Sequence, residues 1–319
     1  MLGIRVASSF TAGRGHIARC EAIRAHFNES VTWFADPQGV HDLGGPDDTV
    51  QVERETESID ALKVAVNAGR VSMVLLDSYL LKPEAIATLS RSVPCLAICD
   101  YPPFPDVHRV VAPQAFQKSE DNIYGGLEYQ IVSAGFSSYR GKSVAEIGDA
   151  ARILVSFGAR DSSNRTALVL SALELVRRRW NISVTCVLGD HAPHRDDIRQ
   201  RLVGHADMSL MEGVHDMGPL YATHNLAIGA PGISQAERAF CGLPSLLIAQ
   251  NEAQKPLCCA WADLHAASIS KPDLQEIAER TEALIGGAAL RNDLRCNAMR
   301  LVDGAGAKRI ADLIREMMK

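Results

Sequence analysis

The stretch Ala12-Gly13-Arg14-Gly15-His16-Ile17-Ala18-Arg19 follows the short apolar run Gly3-Ile4-Arg5-Val6-Ala7. Behind it Ile17, Cys20, Ile23 and Phe27 recur at a helical period. Two glycines therefore fall at a strand-to-helix corner, and a histidine opens the helix. Glycine lets the backbone turn sharply and lets a ligand come close. A helix N-terminus points free N–H groups outward and favours anions. A histidine placed there exchanges a proton near neutral pH. The combination suggests a phosphate-bearing ligand with a base beside it. An ordinary βα turn, with glycines and no ligand, is the plainer alternative.

The same alternation continues through the chain. Strand candidates are 3–8, 31–35, 73–76, 95–99, 107–112 and 130–134, then 153–157, 184–188, 208–211, 226–228, 245–248 and 267–270. Most are continuously apolar, as parallel strands covered on both faces are. Helical patterns fill the gaps at 16–28, 57–68, 83–91, 163–179, 194–203, 216–223, 234–241, 273–284 and 305–318. Repeated βα units predict an α/β chain with open, doubly wound sheets. The polar segment 137–150 divides the strands into two sets of six and is read as the linker. Residues 1–140 then form a first domain and 151–304 a second. Residues 305–319 are expected as an amphipathic helix packing back towards the first. In such folds ligands bind at the carboxyl ends of strands, and a cleft between two facing domains is the expected site.

Composition narrows the partners. The 319 residues are 47% hydrophobic and 22% charged, with a net charge of −5. That balance argues against broad binding of nucleic acid or anionic membranes. No apolar run approaches the roughly 18 residues of a membrane helix. The first residues begin a strand, so no signal peptide is expected. The eight cysteines are scattered through apolar runs and read as reduced, which predicts a cytoplasmic protein. Cys258-Cys259 has no partner pair at zinc spacing. His191 and His194 have a metal-like spacing, but Pro193 breaks a helix there and they are taken as loop residues. His41 is read the same way. No metal and no cofactor are expected.

Other loops carry candidate chemistry. Ser156-Phe157-Gly158-Ala159-Arg160-Asp161 ends a strand, with a helix expected from about Ser162 to Asn164. Gly229-Ala230-Pro231-Gly232-Ile233-Ser234-Gln235-Ala236-Glu237 follows another. There Ser234 and Glu237 have capping-box spacing, yet the same geometry aims N–H groups at a pyrophosphate. Both readings are open, and the doubled glycine favours a ligand. Leu76-Asp77-Ser78-Tyr79 and Cys99-Asp100 end buried strands of the first half. Asp100 is read as a loop cap and Tyr79 as a donor into the cleft. Ala249-Gln250-Asn251-Glu252 lies at the carboxyl edge of the second sheet.

Taken together, these residues resemble the UDP-sugar hydrolases of pseudaminic acid biosynthesis. The resemblance runs through Arg5, Gly13-x-Gly15-His16-x-x-Arg19-Cys20, Asp77-x-Tyr79, Phe157-Gly158-x-x-Asp161 and Asp216-Met217. It continues through Gly229-x-x-Gly232-x-Ser234-x-x-Glu237, Asn251 and Asp303-Gly304-x-Gly306-Ala307. It implies two Rossmann-like domains facing a cleft, the glycosyltransferase-B architecture. It implies hydrolysis of a UDP-activated deoxy or amino sugar, with His16 as the base activating water and Tyr79 and Asn251 assisting. Gly13, Arg14 and Gly15 would approach the sugar and its diphosphate from the first domain. Phe157, Gly158, Ala159 and Asp161 would face sugar and phosphates. Gly232, Ser234 and Glu237 would hold the diphosphate and ribose, and backbone near Val214 the uracil. The UDP-sugar is the expected partner, and a monomer is compatible with the sequence. The chain departs from the family at Ala7, Ser78 and Glu252, where the family has aspartate, histidine and glutamine. These changes fall mostly where the sugar would lie. The alternatives are therefore a glycosyltransferase passing the sugar to an acceptor hydroxyl, and a nucleotide-sugar-binding protein without catalysis.

Overall fold

The structure is a computed structural model that describes residues 1–8, 15–37, 43, 48–55, 57–100, 102–114, 121–144, 146–158, 160–189 and 192–319. Gly13, Arg14, His41, Ala159 and His191 lie outside them. Two compact units are present, one of Met1–Ala134 with Gly304–Lys319 and one of Gly135–Asp303.

The first unit is built from β1 (Leu2–Val6), α1 (Gly15–Arg24), β2 (Thr32–Ala35), β3 (Thr49–Val52), α2 (Asp60–Asn67), β4 (Met73–Asp77), α3 (Pro83–Ser90), β5 (Cys95–Ile98), β6 (Arg109–Ala112) and β7 (Ile123–Gly125). Its sheet has the order β3-β2-β1-β4-β5-β6-β7, and every pairing is parallel. Alternate side chains divide between two cores. Met73, Leu75 and Leu96 join Ile17, Cys20 and Ile23 of α1 on one face. Val74, Leu76 and Ala97 join Leu62 of α2 and Leu89 of α3 on the other. Burial on both faces explains why β1, β2, β4 and β5 read as unbroken apolar runs. The sheet departs from expectation at its edges. β3 and β7 are additional strands, partly exposed and short. Residues 130–133 are not a strand but irregular backbone entering a 3₁₀ turn at Ala134–Tyr139.

The second unit contains β8 (Ala151–Ser156), α4 (Arg165–Val176), β9 (Ile182–Leu188), α5 (Arg195–Leu202), β10 (Met208–Glu212), α6 (Gly218–Thr223), β11 (Leu226–Gly229), α7 (Ile233–Cys241), β12 (Ser245–Ile248), α8 (Lys255–Asp263), β13 (Ser268–Ser270), α9 (Leu274–Gly286) and α10 (Ala288–Leu301). Its parallel sheet has the order β10-β9-β8-β11-β12-β13. α8 and α10 were not among the expected helices. The polar segment 137–150, expected as a linker, belongs to this unit and is tied down by hydrogen bonds. Arg140 donates to the carbonyls of Val302 (3.1 Å) and Met299 (3.2 Å) and lies 4.7 Å above the ring of Phe240. Asn225 donates to the carbonyls of Val144 and Glu146 at 2.7 Å. These bonds hold the segment to the second unit while most of its described residues stay exposed.

The last helix, α11 (Gly306–Met317), returns to the first unit, where Ile310, Ala311 and Ile314 are buried in the α1 core. At its start a Cβ on Gly306 would lie 2.1 Å from the carbonyl oxygen of Gln130. Only glycine allows that approach.

Candidate active site

In each sheet the strand order reverses direction at one point, between β1 and β4 in the first and between β8 and β11 in the second. Crevices at such points are where ligands meet open α/β sheets. Val6 of β1 is in register with Asp77, the last residue of β4. His16, the second residue of α1, thus begins its helix beside the end of β4. Its Nδ1 is 2.6 Å from Asp77 Oδ1. Three residues on, Arg19 projects from the same helix face. It donates Nε to Asp77 Oδ2 and Nη2 to Oδ1, both at 2.5 Å, and Nη1 to Asp100 Oδ2 at 2.7 Å. Tyr79 Oη donates to the same Asp100 oxygen, and the Tyr79 ring meets His16 edge-on at 4.9 Å.

Electrostatics fix the roles in this group. Asp77 is fully buried, and burial alone would raise its pKa. The charge and hydrogen bonds of Arg19, aided by His16, outweigh it and hold the carboxyl at about 2. Asp77 is therefore ionised and accepts from His16 Nδ1 in the Nδ1–H tautomer, while Arg19 Nη2 lies 3.1 Å from the same nitrogen. The lone pair is left on Nε2, the geometry of an oriented general base. Burial pushes the Cys20 thiol well up, with Asp77 adding to the effect, and that cysteine is no nucleophile.

Two sequence expectations change here. Asp100 is not a loop cap but the second carboxylate on Arg19. Tyr79 has a single O–H, and that hydrogen goes to Asp100 rather than into a cleft. Asp77 is the residue that contacts the His16 ring nitrogen. Asp77, Arg19 and Asp100 were missed as a unit. The available signals were two acids at strand ends and an arginine three residues after the histidine. Arg5 belongs to the scaffold: it is fully buried and paired with Asp36 at 2.8 Å. Gly15, the first residue of α1, is half-buried.

At the reversal point of the second unit, Phe157 is buried and its carbonyl accepts from Gln250 Nε2 at 2.9 Å. Gly158 takes φ +83°, a left-handed conformation suited to glycine. Asp161 is turned inward, accepting the N–H groups of Arg165 and Thr166, each at 2.9 Å. α4 begins at Arg165, just past the expected Ser162–Asn164, and this carboxylate accepts from the N–H groups at its N-terminus. The N-terminus of α7 differs. Gly232 stands at its cap position with no side-chain cap, and a Cβ there would meet nothing within 4 Å. The glycine at 229 is required by the fold, since a Cβ would lie 2.2 Å from the Ser156 carbonyl oxygen.

The Ser234–Glu237 capping box does not form. Ile233 is already helical and Gly232 holds the cap position, which places Ser234 two residues too far in to cap. Glu237 instead accepts from Tyr221 Oη at 3.3 Å. Burial raises its pKa to about 7, and the Tyr221 bond and Arg238 offset only part of this. The folded state therefore holds a proton that the unfolded chain releases near 4.5. Stability from this group is lost as pH rises from about 4.5 to about 7. Glu237→Gln is expected to stabilise the second unit by about 2 kcal/mol at pH 8 and by little at pH 4.5. Thermal unfolding at both pH values checks this; an equal effect at the two would refute the assignment. Val214 lies half-buried in the loop after β10. Asn251 is exposed, and its Oδ1 accepts from Gln254 N at 3.1 Å, starting a one-turn helix at Glu252–Gln254.

Two parallel α/β units of this kind define the glycosyltransferase-B fold, and comparison with solved structures places the chain in that class. MurG of Acinetobacter baumannii matches with a TM-score of 0.68, at 16% identity over 99% of both chains. The spinosyn rhamnosyltransferase SpnG, complexed with thymidine diphosphate, matches with a TM-score of 0.68, at 16% identity over the whole of both. Among curated proteins, the spore coat polysaccharide biosynthesis protein SpsG of Bacillus subtilis is 26% identical over 209 residues, 64% of this chain and 61% of that protein. An uncharacterized protein of Methanocaldococcus jannaschii is 31% identical over 130 residues, 40% of this chain and 26% of that one. The matched region thus spans about three-fifths and one-quarter of these relatives. No protein-family model matches the chain. Among the described residues, no helix is long and apolar enough to cross a membrane.

Proposed function

We propose that the chain is a glycosyltransferase-B enzyme that moves a sugar from a nucleotide diphosphate donor, a UDP-sugar, to an acceptor hydroxyl. The observation that carries this is the His16–Asp77–Arg19 arrangement at the reversal point of the first sheet. His16 Nε2 takes the proton of the acceptor hydroxyl as its oxygen bonds to the anomeric carbon. The bond from that carbon to the diphosphate oxygen breaks, and UDP leaves with the electron pair. General base catalysis of this kind contributes about 10²–10⁴-fold. The nucleotide is assigned to the second unit. The uncapped N-terminus of α7 at Gly232 and Ser234 receives the diphosphate and stabilises its growing charge. Glu237 serves the ribose, backbone near Val214 the uracil, and Phe157 and Gly158 line the approach to the phosphates. Asp161 acts by shaping that loop, Tyr79 by packing on His16, and Asn251 by ordering the turn before α8. The fold of MurG and SpnG supports transfer, and the partial match to SpsG supports a role in surface polysaccharide synthesis.

Hydrolysis is the second reading, with water as the acceptor. The signature Gly15-His16-x-x-Arg19-Cys20 and its resemblance to the pseudaminic pathway hydrolases favour it. Incubating a panel of UDP-sugars with and without saccharide acceptors separates the two. Release of UDP that depends on an acceptor is expected for transfer. Release at the same rate without one selects hydrolysis. His16→Asn is expected to abolish release while sparing UDP binding; unchanged release would overturn both.

A further inference from the structure

We propose that Arg238 is a positioning residue for the diphosphate, a buried cation held behind the turn Gly229–Gly232 at the start of α7. The inference rests on the assignment of the nucleotide to the second unit. Arg238 is 1% exposed. Its Nε donates to Gln235 Oε1 at 3.1 Å and its Nη2 to the Ala230 carbonyl at 2.6 Å. Two neutral acceptors do not balance a charge. The buried arginines of the first unit are each paired, Arg5 with Asp36 and Arg19 with Asp77 and Asp100. Arg238 has no ion pair among the described residues, and its titratable neighbours Tyr221, Glu237 and Cys258 do not neutralise it. Glu237 is turned to Tyr221 with its carboxyl raised to about 7, and burial keeps the tyrosine and the thiol protonated. A buried charge without a partner is costly, so stability does not explain this one. Its place does. Nη1 donates to no described group and lies 2.4 Å from where a Cβ of Gly229 would stand. The glycine that ends β11 thus makes room for the guanidinium at the reversal point of the sheet. Gln235 Nε2, beside it, is buried and also without a partner. The N-terminus of α7 carries no side-chain cap. An unpaired guanidinium, a spare amide N–H and the free N–H groups of a helix therefore gather at one strand end. All are donors, and the ligand that suits them is a phosphate-bearing anion.

Gln235→Glu and Arg238→Gln test this, with inorganic pyrophosphate, UDP and uridine as probes in calorimetric titrations. Gln235→Glu is nearly isosteric and sets a carboxylate against Arg238 Nε. It cancels the charge and leaves the guanidinium in place. Thermal unfolding of the free variant should match or exceed that of the parent, because the cation gains a partner. Its affinities for pyrophosphate and UDP should fall roughly tenfold or more, while uridine, which carries no phosphate, stays within about twofold. Arg238→Gln removes the charge outright yet can still donate to the Ala230 carbonyl, and the same split is expected. Where one variant does not fold, the other decides. A purely structural role for Arg238 predicts that UDP and uridine weaken together, or that Gln235→Glu alters neither; either result overturns the proposal. If the unaltered protein binds neither pyrophosphate nor UDP, the proposal and the nucleotide assignment fall together. If the split appears but no UDP-sugar is turned over with any acceptor, the buried counter-charge stands and the transferase reading fails.

Discussion

Asp77→Asn is expected to lower turnover by about 10²–10⁴-fold while UDP affinity stays within about twofold. Two effects combine. The amide cannot fix His16 as the carboxylate does, since its NH₂ can face Nδ1 and reverse the tautomer. The imidazolium also loses its nearest counter-charge. Nucleotide binding is assigned to the other unit, so the loss should fall in kcat. Asp77 also bears on stability. Its carboxyl titrates at about 2 rather than 3.8. A depressed carboxylate contributes stability above its unfolded value, and that stability is lost as pH falls from about 4 to about 2. The amount is on the order of 2 kcal/mol at neutral pH. The variant should therefore be less acid-sensitive than the parent in that window. Steady-state kinetics, UDP titration and acid unfolding measure the three parts. Retention of more than a tenth of wild-type kcat would remove the dyad from the mechanism.

Arg5→Met is expected to cost on the order of 3–5 kcal/mol with no specific loss of nucleotide affinity. Arg5 is fully buried in β1. Its guanidinium donates to the carbonyls of Val6 (2.7 Å), Ser58 (3.1 Å) and Phe34 (3.3 Å), and to Asp36 Oδ1 (2.8 Å). The other oxygen of Asp36 accepts from Ser8 N at 2.8 Å. Removing the arginine leaves a buried carboxylate without its guanidinium, which costs more than the attraction between the two was worth. Adding Asp36→Asn removes that charge while keeping an acceptor for Ser8. The double variant should recover more than half of the loss. Denaturant unfolding decides it: a single-variant cost under about 1 kcal/mol would show that the pair is not needed.

The central strands were legible because burial on both faces of a parallel sheet leaves continuous apolar runs. The edges were not. Thr49-Val50-Gln51-Val52 is half-exposed and polar enough to pass for a loop, and β7 is three residues long. Ile131 and Val132 misled in the opposite sense: they are buried, but under a loop rather than in the sheet. At the site, the start of α1 at Gly15-His16 could be read locally. The partners could not. Asp77 is 61 residues from His16, and only the pairing of β1 with β4 brings them together. Ser234 shows the limit of spacing alone. The interval to Glu237 fits a capping box, but the helix begins one residue earlier and a tyrosine from α6 takes the glutamate.

The return of α11 to the first unit has a consequence for how the protein is made. The second unit is one contiguous stretch, Gly135–Asp303, and all of its strands leave the ribosome before the chain ends. The first unit begins earlier but needs Ile310 and Ile314 to close the core over α1. Its completion must wait for α11, which is translated after the whole of the second unit. The order of synthesis is thus inverted in the order of maturation: the half encoded second is free to finish first. The half carrying His16 closes its core only once α11 has emerged.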